Sequence, residues 1–499
     1  MNLADRTDDE LLDAVRPSGW SNPGPAGRYD LVVIGGGTAG LVAAMGGADL
    51  GARVALVERH RLGGDCLNTG CVPSKALLRS AQVVGELRRA AGLGIDVGEF
   101  RVDFGRVMQR LRDRRSQLAA NDSAARFRKA GVDVFFGQAR FSSPTAVDVD
   151  GQELSFRRAV IATGGRPAVP PIDGLDDVPF LTNENVFDLT TLPRRLLVIG
   201  AGPIGCELAQ AFARFGSAVT IIDRGAHVLP RDEPDAAAIV EGALERDGVQ
   251  LVLGAEIDRI TARADEIVLN VSAGPSTREP RTLVGDALLV AAGRAPNVEG
   301  LDLVSAGVEV SSGGVAVDDR MRTSNPRVYA SGDVCSRFQF THAADAQSRL
   351  VLQNALFFGR RRASRLVMPW VTFTDPGVAH VGVTHADVAA SDGRLAAITV
   401  QLSEVDRAVV DEATDGFVRV YHERGRLRGC TIVAAHAGEM IGEAAYAVTH
   451  AGTLGALSST VHPYPTQAEA LRRAGDMYRR QALTPSLKTW FERYFKWTR

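Results

Sequence analysis

Two stretches of the chain share one pattern of hydrophobic and polar positions: a strand, a glycine-rich turn, a helix and a second strand. The first begins at Tyr29 and reads YDLVVIGGGTAGLVAAMGGADLGARVALVE. The second begins at Arg195 and reads RLLVIGAGPIGCELAQAFARFGSAVTIID. Near-continuous aliphatic strands that alternate with helical segments predict parallel sheets with helices on their faces. The repeat therefore indicates internal duplication of a strand–helix–strand unit in an α/β protein.

The hydrophobic pattern changes after about residue 368. Alternating β-type runs, such as VTFTDPGVAHVGV and GFVRVYHE, come first, and helical segments follow them. This order predicts a separate α+β domain. At the other end, residues 1–28 form an extension with a short helical pattern and a Pro/Gly linker from Pro17 to Gly27.

Composition favours a soluble cytoplasmic protein. The 57 basic and 59 acidic residues leave a net charge of −2, which argues against nucleic acid as a partner. The acidic N-terminus has no apolar secretory segment. The apolar stretch from Leu31 to Ala48 is rich in glycine, which favours a strand and a helix over a membrane span. An odd number of cysteines, five, argues against a structural disulfide framework and for a reducing compartment.

The first glycine motif is Gly35-x-Gly37-x-x-Gly40, placed between a predicted strand and a predicted helix. In such a motif the glycines allow a tight turn, a close approach to a pyrophosphate and close helix–strand packing. Glu58 ends the next strand, 23 residues after Gly35, where an acceptor for a ribose hydroxyl is needed. Together these features predict a dinucleotide-binding site.

The second motif repeats the first one completely. Gly200, Gly202 and Gly205 follow a strand, and Asp223 comes 23 residues after Gly200. Asp223 favours a free ribose 2′-hydroxyl and hence NADH, whereas the adjacent Arg224 offers a cation for the 2′-phosphate of NADPH. The sequence therefore predicts a second dinucleotide site and leaves the choice between the two nucleotides open.

Two cysteines, Cys66 and Cys71, lie in the segment GGDCLNTGCVPSKALL. Four intervening residues that include Gly70 let the backbone bring the two thiols within disulfide range. The second cysteine begins a predicted helix, and both the helix N-terminus and nearby Lys75 favour a thiolate. A metal site is the competing interpretation, but no second Cys/His pair stands at ligand spacing, so no permanent metal is predicted. The pair is predicted to form a reversible redox disulfide.

The order of the motifs resembles the class I pyridine nucleotide–disulfide oxidoreductases, the family of glutathione reductase, dihydrolipoamide dehydrogenase and mercuric reductase. Between and beyond the two glycine motifs and the cysteine segment come ATGGRP (162–167), AGRAPN (292–297) and ASGD (330–333). The resemblance implies an enzyme with FAD on the first nucleotide domain, NADH or NADPH on the second, and a C-terminal domain that forms a homodimer. The implied boundaries are 1–28 extension, 29–176 and 299–367 FAD-binding, 177–298 NAD(P)H-binding, 368–485 dimerisation, and 486–499 tail.

The resemblance also implies roles for single residues. Cys71 would be the thiol that faces the flavin and Cys66 the thiol that meets the substrate, while Lys75 and Glu207 resemble the ion pair beside the flavin. Further FAD contacts are implied for Gly64, Thr163, Gly164 and Asp333, and an NAD(P)H contact for Gly293.

The chain departs from the disulfide reductases near its C-terminus. Those enzymes carry His-Pro-Thr followed by a glutamate, whereas the segment here is VHPYPTQAE, which places Tyr464 at the histidine position and Glu469 at the glutamate. A tyrosine with an ordinary pKa of ~10 is a poor base at neutral pH. His462, two residues earlier, is either a substitute base or a structural residue.

Tyrosine at this position resembles the mercuric reductases, and a soft metal ion bound by two thiolates needs no proton from a histidine. The Cys-x-x-Cys domain and the C-terminal cysteine pair of those enzymes are missing from the sequence. The predicted acceptor is therefore Hg(II), bound at Cys66 and Cys71, or another thiol-reactive oxidant. Alternatives are a dihydrolipoamide dehydrogenase or small-disulfide reductase, an NAD(P)H–quinone reductase, and a non-enzymatic redox sensor.

The last residues, 487–499, carry five aromatic and four basic side chains in a helical pattern. Trp490, Phe491, Tyr494 and Phe495 recur on one helical face. Such a face either docks on the protein or its dimer partner, or makes a weak contact with a membrane surface.

Overall fold

The structure, a computed structural model, describes residues 3–264, 266–272, 280–357 and 359–499. The chain divides into two compact units. The first unit comprises the chain up to Ala226 together with Asp247–Leu366, and the second comprises His227–Arg246 and Val367–Arg499. None of the helices in the described ranges is long and apolar enough to cross a membrane.

The first glycine motif lies in a sheet that has the predicted strand–helix alternation. The elements of this region are α1 (Leu3–Val15), β1 (Tyr29–Ile34), α2 (Thr38–Asp49), β2 (Val54–Glu58), α3 (Gly64–Asn68), α4 (Cys71–Arg89), α5 (Phe104–Ala119), α6 (Ala124–Lys129), β3 (Val132–Phe136), β4 (Ala139–Ser143), β5 (Ala146–Val149), β6 (Gln152–Ile161) and β7 (Gly165–Pro167). The strand order is β3-β2-β1-β6-β5-β4. The strands β3, β2, β1 and β6 are parallel, whereas β5 and β4 join antiparallel.

Both faces of this sheet are buried, which explains the unbroken hydrophobic run of β1. Leu31 and Val33 belong to one core cluster, and Val32 and Ile34 belong to another. Since side chains alternate across a strand, each cluster lies on its own face of the sheet.

The N-terminal extension is packed along the free edge of β3. Trp20 donates its indole N–H to the carbonyl of Val134 at 3.1 Å. The side chain of Asn22 exchanges two hydrogen bonds with the backbone of Phe136, at 2.9 and 2.8 Å. Leu11 of α1 is part of the hydrophobic core of the unit.

The second glycine motif lies in a smaller parallel sheet. In this stretch of the chain the elements are β8 (Arg195–Ile199), α7 (Pro203–Phe215), β9 (Ala218–Asp223), α8 (Pro234–Arg246), β10 (Gln250–Leu253), β11 (Ile257–Arg263), β12 (Glu266–Val271), β13 (Arg281–Gly285) and β14 (Ala287–Val290). Of these, α8 belongs to the second compact unit. The parallel strands have the order β10-β9-β8-β14. The strands β11, β12 and β13, which lie between β10 and β14 in the chain, form a separate antiparallel sheet.

The chain then returns to the first sheet. The elements are β15 (Arg294–Pro296), β16 (Val310–Ser311), β17 (Gly314–Val315), β18 (Val328–Ala330) and α9 (Thr341–Leu356). Strand β18 pairs in parallel with β6, and β15 pairs with β7. This return brings Asp333, just after β18, to the same sheet edge as the first glycine motif.

The second compact unit is an antiparallel sheet with helices, as predicted for an α+β domain. Its elements after α8 are β19 (Trp370–Thr372), β20 (Gly377–Gly382), α10 (His385–Ala389), β21 (Ala396–Gln401), α11 (Asp406–Val410), β22 (Phe417–Glu423), β23 (Arg426–Ala434), α12 (Ala437–Thr449), α13 (Leu454–Ser459), α14 (Glu469–Gln481) and α15 (Pro485–Thr498). The strand order is β19-β20-β23-β22-β21.

The segment before α8 belongs to this unit because Glu233 is bonded to its sheet. The buried carboxylate of Glu233 accepts hydrogen bonds from Tyr421 and Arg419 of β22 and, at 2.9 Å, from Thr431 of β23. Asp232 accepts from the indole of Trp370 at 3.0 Å. The family resemblance implies that this segment lies within the NAD(P)H-binding range, 177–298, and that boundary stays a prediction.

The aromatic tail is helical, as α15, and buries none of its residues in this chain. Trp497 is 83% exposed and Trp490 is 58% exposed. The aromatic face is therefore exposed in the single chain, and its contact with a dimer partner or a membrane surface stays a prediction.

Candidate active site

The first glycine motif has the backbone geometry that its residues predict. Gly35 has a φ of +109°, which favours glycine, and a side chain there would collide with the carbonyl oxygen of Ala162. A side chain at Gly40 would collide with the carbonyl oxygen of Gly35. The close packing of strand, turn and helix thus depends on these glycines.

A narrow cradle forms between Gly37 and Gly64. A Cβ atom on Gly64 would lie 2.6 Å from the Cα of Gly37. Gly37 precedes α2 without a side-chain cap, so the first N–H groups of this helix are available to an anion. Glu58 accepts hydrogen bonds from the N–H groups of Gly36 and His60, both at 2.6 Å. These features fit the pyrophosphate and ribose of a dinucleotide.

The second motif repeats this arrangement. Gly200 has a φ of +108°, and a Cβ at Gly202 would meet no atom of the described residues within 4 Å, which leaves space for a phosphate. Asp223 accepts hydrogen bonds from the N–H groups of Ala201 at 2.7 Å and Gly225 at 2.6 Å. The geometry of this motif also fits a dinucleotide.

The ATGGRP and AGRAPN motifs meet in the structure. Thr163 donates its hydroxyl to the carbonyl of Asn297 at 2.7 Å, and the amide of Asn297 donates to the carbonyl of Thr163 at 3.0 Å. The N–H of Asn297 donates to the carbonyl of Gly164 at 3.0 Å. Gly293, with a φ of +126°, directly precedes β15, and Asn297 directly follows that strand.

Asp333 is bound to an arginine of the AGRAPN motif. Its carboxylate accepts a hydrogen bond from Nε of Arg294 at 3.1 Å, and the same guanidinium contacts Asp65, next to Cys66. Burial raises the pKa of Asp333, while Arg294 opposes this shift. That Asp333 accepts a hydrogen bond from a cofactor hydroxyl stays a prediction.

Cys66 and Cys71 lie close together as free thiols. Cys66 is on the short helix α3, and Cys71 is the first residue of α4. The hydrogen bond between the two thiols, together with burial, raises the pKa of Cys66. The same hydrogen bond lowers the pKa of Cys71 to about 6, so Cys71 is the thiolate of the pair near neutral pH.

Two further groups favour the Cys71 thiolate. The hydroxyl of Thr341, the first residue of α9, lies 3.2 Å from Sγ of Cys71. The positive charge of Lys75 also lowers the pKa of Cys71, against the effect of burial and of Glu207. Nζ of Lys75 lies 2.8 Å from Oε2 of Glu207, whose side chain is only 7% exposed. The structure thus brings the predicted Lys75–Glu207 pair and both cysteines together in the first unit.

Tyr464, His462 and Glu469 lie in the second unit and do not form one hydrogen-bonded group there. Tyr464 is 70% exposed, and its hydroxyl donates to Asp406 at 2.9 Å, which raises the pKa of the tyrosine. The raised pKa keeps Tyr464 protonated at neutral pH, so it is unavailable as a base there, as the sequence predicts. Glu469 is bonded to Arg472 instead of to a histidine.

His462 has a carboxylate partner that the sequence did not reveal. Its Nε2 lies 3.1 Å from both oxygens of Glu443 on α12, and its Nδ1 lies 3.1 Å from the carbonyl of Thr460. Its side chain is 5% exposed. Among the described residues no group of three or more His, Cys, Asp or Glu side chains is placed to hold a metal ion.

Thr341, Arg294 and Glu443 are the residues of these contacts that sequence reasoning missed. Thr341 is 270 positions from Cys71, and no local pattern connects the two. Arg294 could have been found from the sequence, because it lies in the AGRAPN motif directly after Gly293.

The chain belongs to the pyridine nucleotide–disulphide oxidoreductase family, which matches residues 29–348, and its dimerisation domain matches residues 368–474. The chain is 36% identical over 459 residues to mercuric reductase of Streptomyces lividans, covering 90% of this chain and 96% of that protein. It is 35% identical over 467 residues to dihydrolipoyl dehydrogenase of Thermus scotoductus, covering 91% of this chain and 98% of that protein.

A solved structure of similar fold is a Cu(II) complex of the HOCl-induced flavoprotein disulfide reductase RclA from Escherichia coli. The TM-score is 0.77 at 28% identity, with 89% of this chain and 98% of that chain covered. The predicted family and fold class, with two Rossmann-like domains and a C-terminal α+β dimerisation domain, are confirmed. The protein is accordingly a flavoprotein oxidoreductase of a family that uses FAD and NAD(P)H.

Proposed function

We propose that the protein is an NAD(P)H-dependent reductase whose Cys66–Cys71 dithiol delivers electrons to Hg(II) or to another thiol-reactive acceptor. Two adjacent thiols beside Lys75 support this proposal, because the pKa of Cys71 is lowered and the pKa of Cys66 is raised. The FAD of the family, when bound, carries electrons from NAD(P)H to such a disulfide. Thr163, Gly64 and Glu58 would hold it.

Each residue of the site would have a separate role. The Cys71 thiolate would face the flavin, and Lys75, held by Glu207, would place a positive charge beside it. Cys66 would meet the acceptor. With Hg(II), the two electrons of NAD(P)H yield Hg(0), NAD(P)⁺ and one proton, so the acceptor itself takes up no proton. A soft ion of this kind suits two sulfur ligands and a site in which Tyr464 is a poor base.

The test begins with anaerobic reduction of the purified holoenzyme by NADH and, separately, by NADPH. We expect two new thiols, a long-wavelength thiolate–flavin band, and NAD(P)H oxidation that depends on added Hg(II). Cu(II) is a second metal to assay, because the RclA structure is a Cu(II) complex. Faster reduction by NADH would support the preference that Asp223 indicates, and faster reduction by NADPH would support the one that Arg224 indicates.

Cysteine variants provide the control. Cys66→Ser and Cys71→Ser should each lose acceptor turnover while FAD stays bound. Cys430→Ala should keep full turnover, because Cys430 is buried in the core of the second unit and burial raises its pKa. Full activity of either serine variant would contradict the dithiol mechanism.

A small disulfide is the second candidate acceptor, and the His462–Glu443 contact favours it. Reduction of a disulfide requires a proton for the leaving thiolate, and a histidine held by a carboxylate can supply one. If this candidate is correct, His462→Gln lowers turnover of lipoamide at least about tenfold and leaves metal-dependent turnover unchanged. Equal losses with both acceptors would exclude this role.

A further inference from the structure

Helix α1 of the N-terminal extension is joined to the redox segment by hydrogen bonds through a buried arginine. The side chain of Arg115, on α5, is 5% exposed. Its guanidinium donates to Asp8 of α1 at 2.7 Å and to the carbonyl of Asn68 at 3.1 Å. Asn68 lies between Cys66 and Cys71, so a group on α1 is one side chain away from the redox segment.

A second route joins the other end of α1 to the same asparagine. The carbonyl of Val15 accepts a hydrogen bond from the N–H of Leu62 at 3.1 Å. The carbonyl of Leu62 in turn accepts from the side-chain amide of Asn68 at 3.1 Å. The hydrogen bonds therefore form a closed ring that starts at Asp8, crosses the redox segment at Asn68, and returns to α1 at Val15.

Burial makes this ring sensitive to the loss of one member. Val15, Leu62, Asn68 and Arg115 are all less than 9% exposed, so water does not readily replace a lost partner. Within the described part of the chain, Nε of Arg115 and Oδ1 of Asn68 already have no hydrogen-bond partner. The half-exposed carboxylate of Asp8 pairs with this buried arginine and also lies 4.0 Å from Nε of Arg112, a second buried arginine on α5.

We propose that Asp8 is a positioning residue for the Cys66–Cys71 segment and acts through Arg115. Its carboxylate fixes the guanidinium, the guanidinium fixes the carbonyl of Asn68, and the thiols thereby keep their orientation toward each other and toward Thr341. The proposal rests on the proposed redox role of the two cysteines, but its test does not use turnover.

The experiment compares reduced wild-type protein with Asp8→Asn, Asp8→Glu and, as matched control, Asp9→Asn. Asp9 is the next residue on the same helix and is exposed. In Asp8→Asn we expect amide hydrogen exchange of residues 62–71 to rise about tenfold, since a charged hydrogen bond of a buried group is lost. We also expect the pH midpoint of thiol alkylation at Cys71 to rise. Asp8→Glu should restore both, and Asp9→Asn should change neither.

Three results would overturn the proposal. Exchange that increases evenly over the whole unit would assign Asp8 to general stability. A lower alkylation midpoint would show that the uncompensated charge of Arg115 acts on the thiolate directly. No change in either measurement would show that the ring does not hold the segment. If wild-type protein reduces no acceptor, the proposed function fails, yet these measurements still decide the role of Asp8.

Discussion

The two thiols of the site differ in their charge state at neutral pH. Cys71 has a pKa lowered to about 6 by its hydrogen bond from Cys66, by Thr341 and by Lys75, whereas the pKa of Cys66 is raised. A folded-state pKa below the ordinary value means that the thiolate persists as the pH falls and is lost only below about 6. Cys71 is therefore the ionised thiol of the reduced site at neutral pH, and Cys66 is the protonated one.

Replacing Thr341 by valine tests this distribution of charge. Thr341→Val removes the hydroxyl at 3.2 Å from Cys71 while keeping the shape, so the pKa of Cys71 should rise by about one unit. The pH dependence of alkylation of the reduced protein measures it. Thr341→Ser, which retains the hydroxyl, should behave like wild type, and a valine variant with an unchanged midpoint would contradict the assignment.

Residue roles were predictable from the sequence where they depend on local spacing. Cys66, Cys71 and the two glycine motifs are recognisable because a turn and a helix N-terminus dictate their chemistry within a few positions. The partners of Cys71 and His462 were not, because Thr341 and Glu443 reach them only after distant elements fold together. The departure at Tyr464 was visible in the sequence, but its bond to Asp406 was not.

At the scale of elements, two tight turns approach each other to shape the first nucleotide site. Gly37 before α2 and Gly64 at the start of α3 come so close that Gly64 has no room for a side chain. Element order was predictable here, since β1, α2 and β2 follow from one uninterrupted hydrophobic pattern. The attachment of the segment before α8 to the second unit was not, because it depends on the buried bonds of Glu233.

The cradle between Gly37 and Gly64 predicts a specific loss of cofactor. Gly64→Ala would put a Cβ 2.6 Å from the Cα of Gly37 and would strain a residue with a φ of +54°. We expect FAD to bind at least about tenfold more weakly, which corresponds to about 1.4 kcal/mol. Flavin release during ultrafiltration or fluorescence titration measures this change.

Gly442→Ala is the matched control for that variant. Gly442 lies inside α12 with no atom within 4 Å of an added Cβ, so alanine should leave FAD binding unchanged and stabilise the helix by roughly 0.5–1 kcal/mol. FAD affinity that falls equally in both variants would show that the cradle has no special role.

At the scale of the whole molecule, the dimerisation domain predicts that two chains associate. Light scattering at micromolar concentration should give a mass close to twice 53.1 kDa. A single-chain mass with FAD bound would contradict this expectation. The cytoplasmic location, the domain boundaries and a membrane contact of the aromatic tail stay predictions.

The hydrogen bonds of Trp20 and Asn22 to β3 have a practical consequence for the solubility of a shortened chain. β3 is the last strand at its side of the sheet, and such an unprotected strand can pair with another molecule. Starting the chain at Tyr29, where the family match begins, would uncover the carbonyls of Val134 and Phe136 and the N–H of Phe136. Trp20 and Asn22 thus cover this edge, and Leu11 of α1 would be lost from the core as well. We therefore expect a chain that starts at Tyr29 to aggregate on concentration even with every residue of its active site in place.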